Sequence, residues 1–343
     1  MEQYKNRVFY MDFLRIAATF AVVVLHVAAS LWSKADLSSS AWMVSNIFDS
    51  STRWAVPVFV MISGALFLPP RKINIQDIYK KYILRILISF VVWSAFYALV
   101  NNYPEFTLSG LLTSFVCGAY HMWFLFMIVG LYMITPFLRK IAESDKLTNY
   151  FLVLSLIFTF FIPSILKIPQ LAKAQTLVDN VHFHFTLGYS SYFVAGYFFS
   201  HTNLHKRTRI FIYILGIIGL SMTIGLTAYR SFRLGEPNSD FYDNFSIGVL
   251  LQSIAIFTFA KYRERRELSN RKASILIHLS KCSFGAYLVH VFVLTVLNKV
   301  FGLQASSFTP VLSIPATAII ATVISFLTSY VINKIPVLNK YIV

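Results

Sequence analysis

The sequence predicts an all-α, polytopic membrane protein, built as a bundle of about ten transmembrane helices. Of its 343 residues, 57% are hydrophobic and only 13% are charged, whereas a soluble protein carries about 25% charged residues. That charge density is too low to cover a water-soluble surface of this size. The apolar residues are also grouped into stretches of about 20, the length that spans a bilayer as a helix. Helices are expected rather than strands because lipid offers no partner to an unpaired backbone amide.

Ten apolar stretches correspond to the ten predicted spans. In order they are residues 9–32, 54–68, 82–102, 119–138, 149–166, 183–200, 210–229, 244–260, 275–300 and 311–333. The first is long enough to span alone, whereas the second is barely so unless it borrows from the amphipathic residues before it. No repeat of 20–50 residues and no low-complexity linker divides the chain. We therefore predict a single membrane-embedded domain over residues 1–343.

The basic residues between the spans indicate the orientation. With the N-terminus in the cytoplasm, the cytoplasmic segments hold 21 of the 30 Lys and Arg residues and the outer segments hold seven. The other two, Arg15 and Lys281, fall inside spans. This excess predicts that both termini are cytoplasmic and that the number of spans is even. Since the net charge of +16 is then mostly a topology signal, we expect the lipid bilayer as a partner and no nucleic acid.

Three ionisable residues lie in the first span, where such groups are costly and usually functional. Arg15 and His26 are 11 residues apart, which at about 100° per residue leaves them roughly 20° from eclipsed and about 16 Å apart along the axis. Asp12 lies three residues before Arg15, a spacing that allows an ion pair. We expect this face to line the bundle interior or a water-filled cavity. The alternative is a structural Asp12–Arg15 pair with His26 as a packing residue.

Two further polar clusters lie in later spans. Ser283, Tyr287 and His290 in the ninth span are spaced i, i+4 and i+7, and therefore share one helix face. A helix-packing stripe is the alternative interpretation. His121 and Trp123 open the fourth span, where they are either site residues or anchors in an aromatic belt.

The second span has an unusual beginning. Arg53 enters it from the outer side, followed by Pro57 and the Ser63-Gly64 pair. Pro57 and Gly64 would shorten or bend the helix, which is tolerated where the backbone lines a cavity or packs on protein.

Other spacings give little support to a metal site. His182-x-His184 and His201-x3-His205 have ligand-like spacings, but neither has an acidic residue or a cysteine nearby as a third ligand. The two cysteines stand far apart, and no CxxC occurs. We expect no bound metal and no disulfide.

Taken together, the polar motifs follow an order found in a known family. The sequence contains Arg15-x10-His26, then Val56-Pro57-x-Phe59 leading to Ser63-Gly64, then His121-x-Trp123-Phe124, and finally Ser283-x-Gly285-x-Tyr287-x-x-His290. Singly each is weak, but together they resemble the acyltransferase 3 family of integral-membrane O-acyltransferases over nearly the whole chain. Within that family the chain is most similar to the short, stand-alone members.

The resemblance implies transfer of an acyl group, usually acetyl, from cytosolic acyl-coenzyme A to a hydroxyl of a cell-envelope glycan at the cytoplasmic membrane. In the family the first-helix histidine is the essential catalytic residue, and the basic residue eleven positions earlier belongs to the same motif. Those roles carry over to His26 and Arg15. Family members also carry basic residues between the second and third helices on the cytoplasmic side. Here Arg71, Lys81 and Arg85 are the candidates for binding the coenzyme.

The depth of each residue in the first span suggests how such a reaction is divided. At 1.5 Å per residue from Tyr10, Arg15 lies roughly 8 Å and His26 roughly 24 Å into a core about 30 Å thick. We expect the coenzyme phosphates at the cytoplasmic mouth, the pantetheine arm beside Arg15 and the thioester near His26. There His26 acts either as the general base for the acceptor hydroxyl or as a covalent acyl carrier.

The other expected site residues support these two. In the catalytic set, Asp12 pairs with Arg15, while His121, Tyr287 and His290 orient His26 or donate to the developing oxyanion. Arg53 lies outside, where it can bind an anionic or polyhydroxylated acceptor. The expected substrate contacts are Arg53, Ser63, Trp123 and Ser283.

A transporter or flippase for a small molecule or glycan precursor is the alternative function, because buried charges can also form a substrate or proton path. Transporters commonly contain inverted repeats with paired broken helices, and no repeat is visible here. The sequence therefore favours an acyltransferase. It leaves open the acceptor and the choice between an acetyl and a succinyl donor.

Overall fold

The computed structural model of the protein describes residues 7–69, 74–167, 184–263, 268–336 and 338–341. These residues form helices and contain no β-strand, which confirms the predicted all-α class. The helices are α1 (Phe9–Trp32), α2 (Ser40–Ser50), α3 (Ala55–Phe67), α4 (Ile75–Asn101, with a π-helical turn at Ile78–Ile83), α5 (Leu108–Cys117), α6 (Trp123–Ala142), α7 (Asp145–Leu166, with a π-helical turn at Leu156–Phe161), α8 (His184–His201), α9 (Lys206–Leu234), α10 (Ile247–Arg263), α11 (Asn270–Phe301), α12 (Pro310–Asn333) and α13 (Leu338–Tyr341).

Eight helical stretches in the described part of the chain are long and apolar enough to cross a membrane. They are α1, α4, α5 together with α6, α7, α9, α10 with the turn before it, α11 and α12. The chain is therefore a multi-pass membrane protein. The other two predicted spans correspond to α3, with 13 residues, and α8, with 18. The total number of spans and their orientation stay predictions.

Helices α3 and α8 cross each other at two glycines. A Cβ atom built on Gly64 would lie 1.8 Å from the carbonyl oxygen of Phe193, and one built on Gly196 would lie 1.9 Å from that of Met61. No side chain fits such a gap, so the two backbones approach directly, as small residues allow between membrane helices. This contact gives Gly64 the packing role that its place in the second predicted span suggested.

Helix α1 lies at the centre of the bundle, in contact with α2, α3, α10, α11 and α12. Its Met11 and Leu14 belong to one large buried apolar cluster, and its Val23 and Val27 belong to another. Apolar side chains are thus buried on more than one face of α1, as in a helix that packs against several others. The polar residues of α1 are therefore held inside the protein.

Helices α1 and α11 run in the same direction. Near the start of α1, Asp12 accepts a hydrogen bond of 2.6 Å from Ser280. Near its outer end, the ring of His26 stacks on that of His290, with centroids 5.2 Å apart. The contact nearer the N-terminus of α1 is thus also the one nearer the N-terminus of α11. A parallel pair is expected for the first and ninth spans of a bundle in which successive spans alternate in direction.

Candidate active site

Three histidines from separate elements meet around the outer half of α1. His26 comes from α1, His290 from α11, and His121 from a single 3₁₀ turn, Tyr120–Met122, that leads into α6. The ring of His290 lies between the other two, with centroids 5.2 Å from His26 and 5.1 Å from His121. The structure thus brings together three residues that the sequence assigned to one candidate site.

The backbone determines the tautomers of the two fully buried histidines. Nε2 of His121 lies 3.3 Å from the carbonyl oxygen of Leu288, and Nδ1 of His290 contacts the carbonyl oxygen of Tyr287. A carbonyl oxygen only accepts, so each of these nitrogens carries the proton. The second nitrogen of a neutral imidazole is an acceptor. Nδ1 of His121 and Nε2 of His290 are therefore acceptors, and neither has a partner among the described residues.

Tyrosines hold this cluster in place. The hydroxyl of Tyr287 donates to the carbonyl oxygen of His121. The hydroxyl of Tyr97 donates to the carbonyl oxygen of Leu288 at 2.8 Å and accepts from the amide of Phe292 at 3.2 Å. These contacts connect α4, α6 and α11, so the turn that carries His121 is held against α11. Tyr97 is not part of any motif in the sequence and was not expected in the site.

His26 itself is half-buried and faces Tyr120. Its ring meets the Tyr120 ring edge-on at 5.3 Å, and its Nδ1 lies 3.4 Å from the Tyr120 hydroxyl. That distance is longer than an ordinary hydrogen bond. Tyr120 directly precedes His121 in the sequence but was not expected in the site.

His26 lines a cavity of about 540 Å³ at one end of the bundle, which we call the outer cavity after the predicted orientation. Its walls are the last turns of α1, the last turns of α11 and the turn between α11 and α12. The described lining residues are His26, Val27, Ser30, Leu31, Lys34, Ala35, Tyr120, Val291, Leu294, Thr295, Asn298, Leu303, Gln304, Ala305, Ser306 and Thr317. A volume of this size fits a small organic ligand.

A second cavity of about 620 Å³ lies at the opposite end, and we call it the inner cavity. Three cationic side chains line it: Arg15, Arg85 and Lys281. The predicted Ser63, Ser283 and Tyr287 line it as well. Other lining residues include Phe59, Tyr82, Phe124, Tyr132, Asn333 and Asn339, and no carboxylate lines it among the described residues. Lys281 is a residue that sequence analysis counted inside a span but did not place in the site.

Aromatic rings separate the inner cavity from the histidine cluster. The rings of Phe59 and Phe124 have centroids 6.0 Å apart, and those of Phe124 and Tyr287 are 5.7 Å apart. Tyr287 also meets the His121 ring at 5.6 Å. We call Phe59, Phe124 and Tyr287 the aromatic wall. Arg15 and His26 therefore lie on opposite sides of this wall, although they share one face of α1.

Asp12 is bound mainly by a residue that sequence analysis did not consider as its partner. Arg7 donates two hydrogen bonds to its carboxylate, at 2.7 and 2.9 Å, and Ser280 donates another at 2.6 Å. The expected partner, Arg15, lies 3.7 Å away. This leaves the Arg15 side chain at the inner cavity, with Asp12 as a weak neighbour.

Arg53 is also committed to contacts within the protein. Its Nε lies 2.5 Å from the buried carboxylate of Asp49, and its guanidinium stacks 4.1 Å from the ring centroid of Tyr242. Burial raises the pKa of Asp49, and the Arg53 charge opposes that shift. Arg53 does not line the outer cavity as the structure describes it. The role of Arg53 in binding the acceptor stays a prediction.

Three further predicted residues lie away from both cavities or outside the described chain. Trp123 is 43% exposed and packs against Tyr189, 5.9 Å between centroids. Lys81 is exposed, with Nζ 5.6 Å from the Tyr82 ring centroid, and is not among the residues that line the inner cavity. Arg71 lies outside the described residues. Their predicted roles in binding stay predictions.

Metal-binding geometry is not seen in the described part of the chain, where no three His, Cys, Asp or Glu residues are grouped to hold an ion. His182 lies outside that part. Both cysteines are free.

A family model described as an acyltransferase domain, of the acyltransferase 3 type, matches residues 8–331. No curated protein and no solved structure matches the chain.

Proposed function

The chain belongs to the acyltransferase 3 family, whose domain covers nearly all of it, and on that premise we propose that it transfers an acyl group from cytosolic acyl-coenzyme A to a hydroxyl of a cell-envelope glycan. The donor is acetyl-coenzyme A in the simplest case, and the site of action is the cytoplasmic membrane. The observation that supports this proposal is the position of His26, at the floor of the outer cavity and across the aromatic wall from a cationic inner cavity.

The inner cavity suits the donor. Coenzyme A carries phosphates, and Arg15, Arg85 and Lys281 supply three cations at one end of the bundle. Guanidinium groups pair with phosphate through two parallel hydrogen bonds, and ammonium groups act as point charges. We assign these three residues to the coenzyme. Arg85 was expected there from the sequence, whereas Arg15 was expected in the catalytic set and Lys281 in neither. The acyl end then points along α1 toward the aromatic wall.

His26 has the chemistry to activate the acceptor. The acceptor oxygen attacks the thioester carbonyl carbon, a C–O bond forms, and the C–S bond breaks. The hydroxyl proton passes to the imidazole of His26 and then to the departing thiolate, which leaves as free coenzyme A. General-base catalysis of this kind contributes about 10²–10⁴-fold. In a second route His26 carries the acyl group itself, and an acyl-imidazole isolated by rapid acid quench would identify that route.

Tyr120 and His290 are positioning residues in this scheme. If Nδ1 of His26 donates to the Tyr120 hydroxyl, Nε2 is left as the base. The His290 ring stacks on His26 and limits its rotation. His121 and His290 donate their N–H groups to backbone carbonyls, so each presents a lone pair to the cluster. These lone pairs can accept a hydrogen bond from a proton donor, and they are less suited to stabilising an oxyanion.

The experiment uses purified protein in detergent with labelled acetyl-coenzyme A and an envelope glycan extract as the acceptor. His26→Ala is expected to lose at least 10²-fold in transfer. The matched control is His278→Ala, a histidine of α11 that bonds within its own helix at Ser274 and lines neither cavity. Wild-type turnover in His26→Ala would remove His26 from the reaction. Movement of glycan across vesicles without any acyl transfer would favour the transporter.

A further inference from the structure

The outer cavity offers a binding surface whose chemistry is distinct from that of the inner one. None of the substrate contacts expected from the sequence lines it, and most of its described polar groups are uncharged. They comprise hydroxyls and the side-chain amides of Asn298 and Gln304. Both amides are exposed, and no hydrogen bond within the described chain engages them. Groups of this kind pair with the hydroxyls of a polyol, because each can both donate and accept.

The depth of the outer cavity follows from the positions of its lining residues on α1 and α11. His26 and His290 lie at the same level, since their rings stack. From there α1 and α11 run in the same direction. Asn298 follows His290 by eight residues within α11, which is about 12 Å along a helix, and Lys34 lies two residues beyond the end of α1. Ser30 and Thr295 lie between those levels. A ligand with its reacting hydroxyl at His26 therefore reaches Asn298 and Lys34 with its far end.

The charge of the lining residues also determines which ligands the outer cavity can bind. Lys34 is the cation near the mouth, and no carboxylate lines the cavity among the described residues. The nearest acidic residue in sequence, Asp36, accepts hydrogen bonds from the amide and the hydroxyl of Ser38, at 2.8 and 2.7 Å. Lys34 would repel a basic ligand, and no carboxylate in the lining would offset that repulsion. A neutral or an acidic ligand would not be repelled.

We propose that the outer cavity binds the terminal two sugar units of a neutral or acidic acceptor, with Asn298 and Gln304 as the residues that recognise ring hydroxyls and Lys34 as the residue that rejects amino sugars. This inference rests on the proposed function for its reacting hydroxyl. The volume of about 540 Å³ and the depth of about 12 Å suit a disaccharide better than a single ring. The exposed ring of Tyr120, beside His26, provides an apolar face for the sugar at the bottom.

The test compares two disaccharides that differ in charge. N,N′-diacetylchitobiose is neutral, whereas chitobiose carries two amines, and both are offered to purified protein at a pH at which the amines are protonated. Binding is measured by equilibrium dialysis, and acyl transfer from acetyl-coenzyme A is measured by mass spectrometry. We expect diacetylchitobiose to bind and accept, with chitobiose at least tenfold weaker. Equal binding of the two would overturn the proposal.

Substitutions of lining residues test whether the expected preference for diacetylchitobiose arises in the outer cavity. Asn298→Ala and Gln304→Ala should each raise the KM for diacetylchitobiose about fivefold without changing the KM for acetyl-coenzyme A, since a lost hydrogen bond to a neutral group amounts to about 1 kcal/mol. Lys34→Gln should narrow the gap between the two sugars. Lys299→Gln, next to Asn298 but outside the lining, is the control. Unchanged KM values in both amide variants would contradict the assignment.

The outcomes separate this inference from the proposed function. Acyl transfer to the glycan extract with no binding of either disaccharide refutes the inference and leaves the function. Binding of diacetylchitobiose with no turnover of acetyl-coenzyme A on any acceptor refutes the function and leaves the binding site.

Discussion

Two neighbouring arginines near the start of α1 have separate tasks. Arg7 bonds twice to the buried carboxylate of Asp12, whereas Arg15 lines the inner cavity and lies 3.7 Å from that carboxylate. Asp12 also receives the Ser280 hydroxyl from α11. One carboxylate thus joins the N-terminal residues, α1 and α11, and leaves Arg15 available for an anionic ligand.

This division predicts opposite effects of two similar substitutions. Arg7→Gln should lower the stability by about 1–2 kcal/mol, because it strands a buried carboxylate, with some relief because the Arg7 side chain is 35% exposed. Its KM for acyl-coenzyme A should not change. Arg15→Gln should raise that KM about tenfold or more, since hydrogen bonds to charged groups contribute about 1.5–3 kcal/mol, and should leave stability nearly unchanged.

Thermal unfolding in detergent and steady-state kinetics on the same preparations test both statements. If Arg15→Gln unfolds at a lower temperature than the wild type and keeps a normal KM, Arg15 is a structural partner of Asp12. The sequence also allowed that alternative.

At the scale of the helices, the crossing of α3 and α8 depends on backbone contact. Gly64 and Gly196 each face a carbonyl oxygen of the other helix at a distance that excludes a Cβ. Because α3 also carries Phe59 and Ser63 into the inner cavity, this crossing fixes one wall of the candidate donor site. Neither helix is long enough and apolar enough to count among the eight spanning stretches, and each is covered by its neighbours.

Gly196→Ala should therefore destabilise the protein by about 1–3 kcal/mol, the usual cost of overpacking a core. The control is Gly225→Ala in α9, where nothing lies within 4 Å of the added Cβ. There the substitution should be neutral or stabilise by up to about 1 kcal/mol through helix propensity. Equal thermal stability of the two variants would show that α3 and α8 are not packed this closely.

The aromatic wall predicts a limit on the acyl group. Phe124 lies between Phe59 and Tyr287 and lines the inner cavity, so Phe124→Ala should enlarge that cavity beside Tyr287. We expect the ratio of kcat/KM for hexanoyl- over acetyl-coenzyme A to rise at least tenfold, since pocket methylenes change specificity by about 1–3 kcal/mol each. Phe126→Ala alters an exposed ring on another face of α6 and should not change this ratio. A ratio unaffected in Phe124→Ala would show that the acyl group binds elsewhere.

The sequence predicts the helices and the polar residues that share a helix face because both follow from periodicity. Helical spacing alone places Ser283, Tyr287 and His290 on one face, and the structure brings two of them to His121. The periodicity of the sequence does not show which side chains of different helices contact each other. The Arg7–Asp12 and Arg53–Asp49 pairs depend on how ends and turns fold back, and the roles of Lys281 and Asn298 depend on which cavity a helix face meets.

For the whole molecule, the central feature is a histidine cluster between two cavities that open at opposite ends. One end carries three cations, and the other is lined by apolar residues and by polar groups that are mostly uncharged. Such a plan suits two substrates that approach from different sides of the bilayer, with His26 where they meet. It also explains why the charges of α1 are tolerated, because ionisable residues within a membrane face cavities or protein.

The most direct test of this account is a sided transfer assay in proteoliposomes whose protein orientation has been established by protease access to the N-terminus. Labelled acetyl-coenzyme A is placed on one side and the glycan acceptor on the other, in both arrangements, with His26→Ala as the blank. The account predicts transfer only when acetyl-coenzyme A is on the side of the N-terminus. Equal transfer from either side, or transfer only when both substrates share one side, would contradict it.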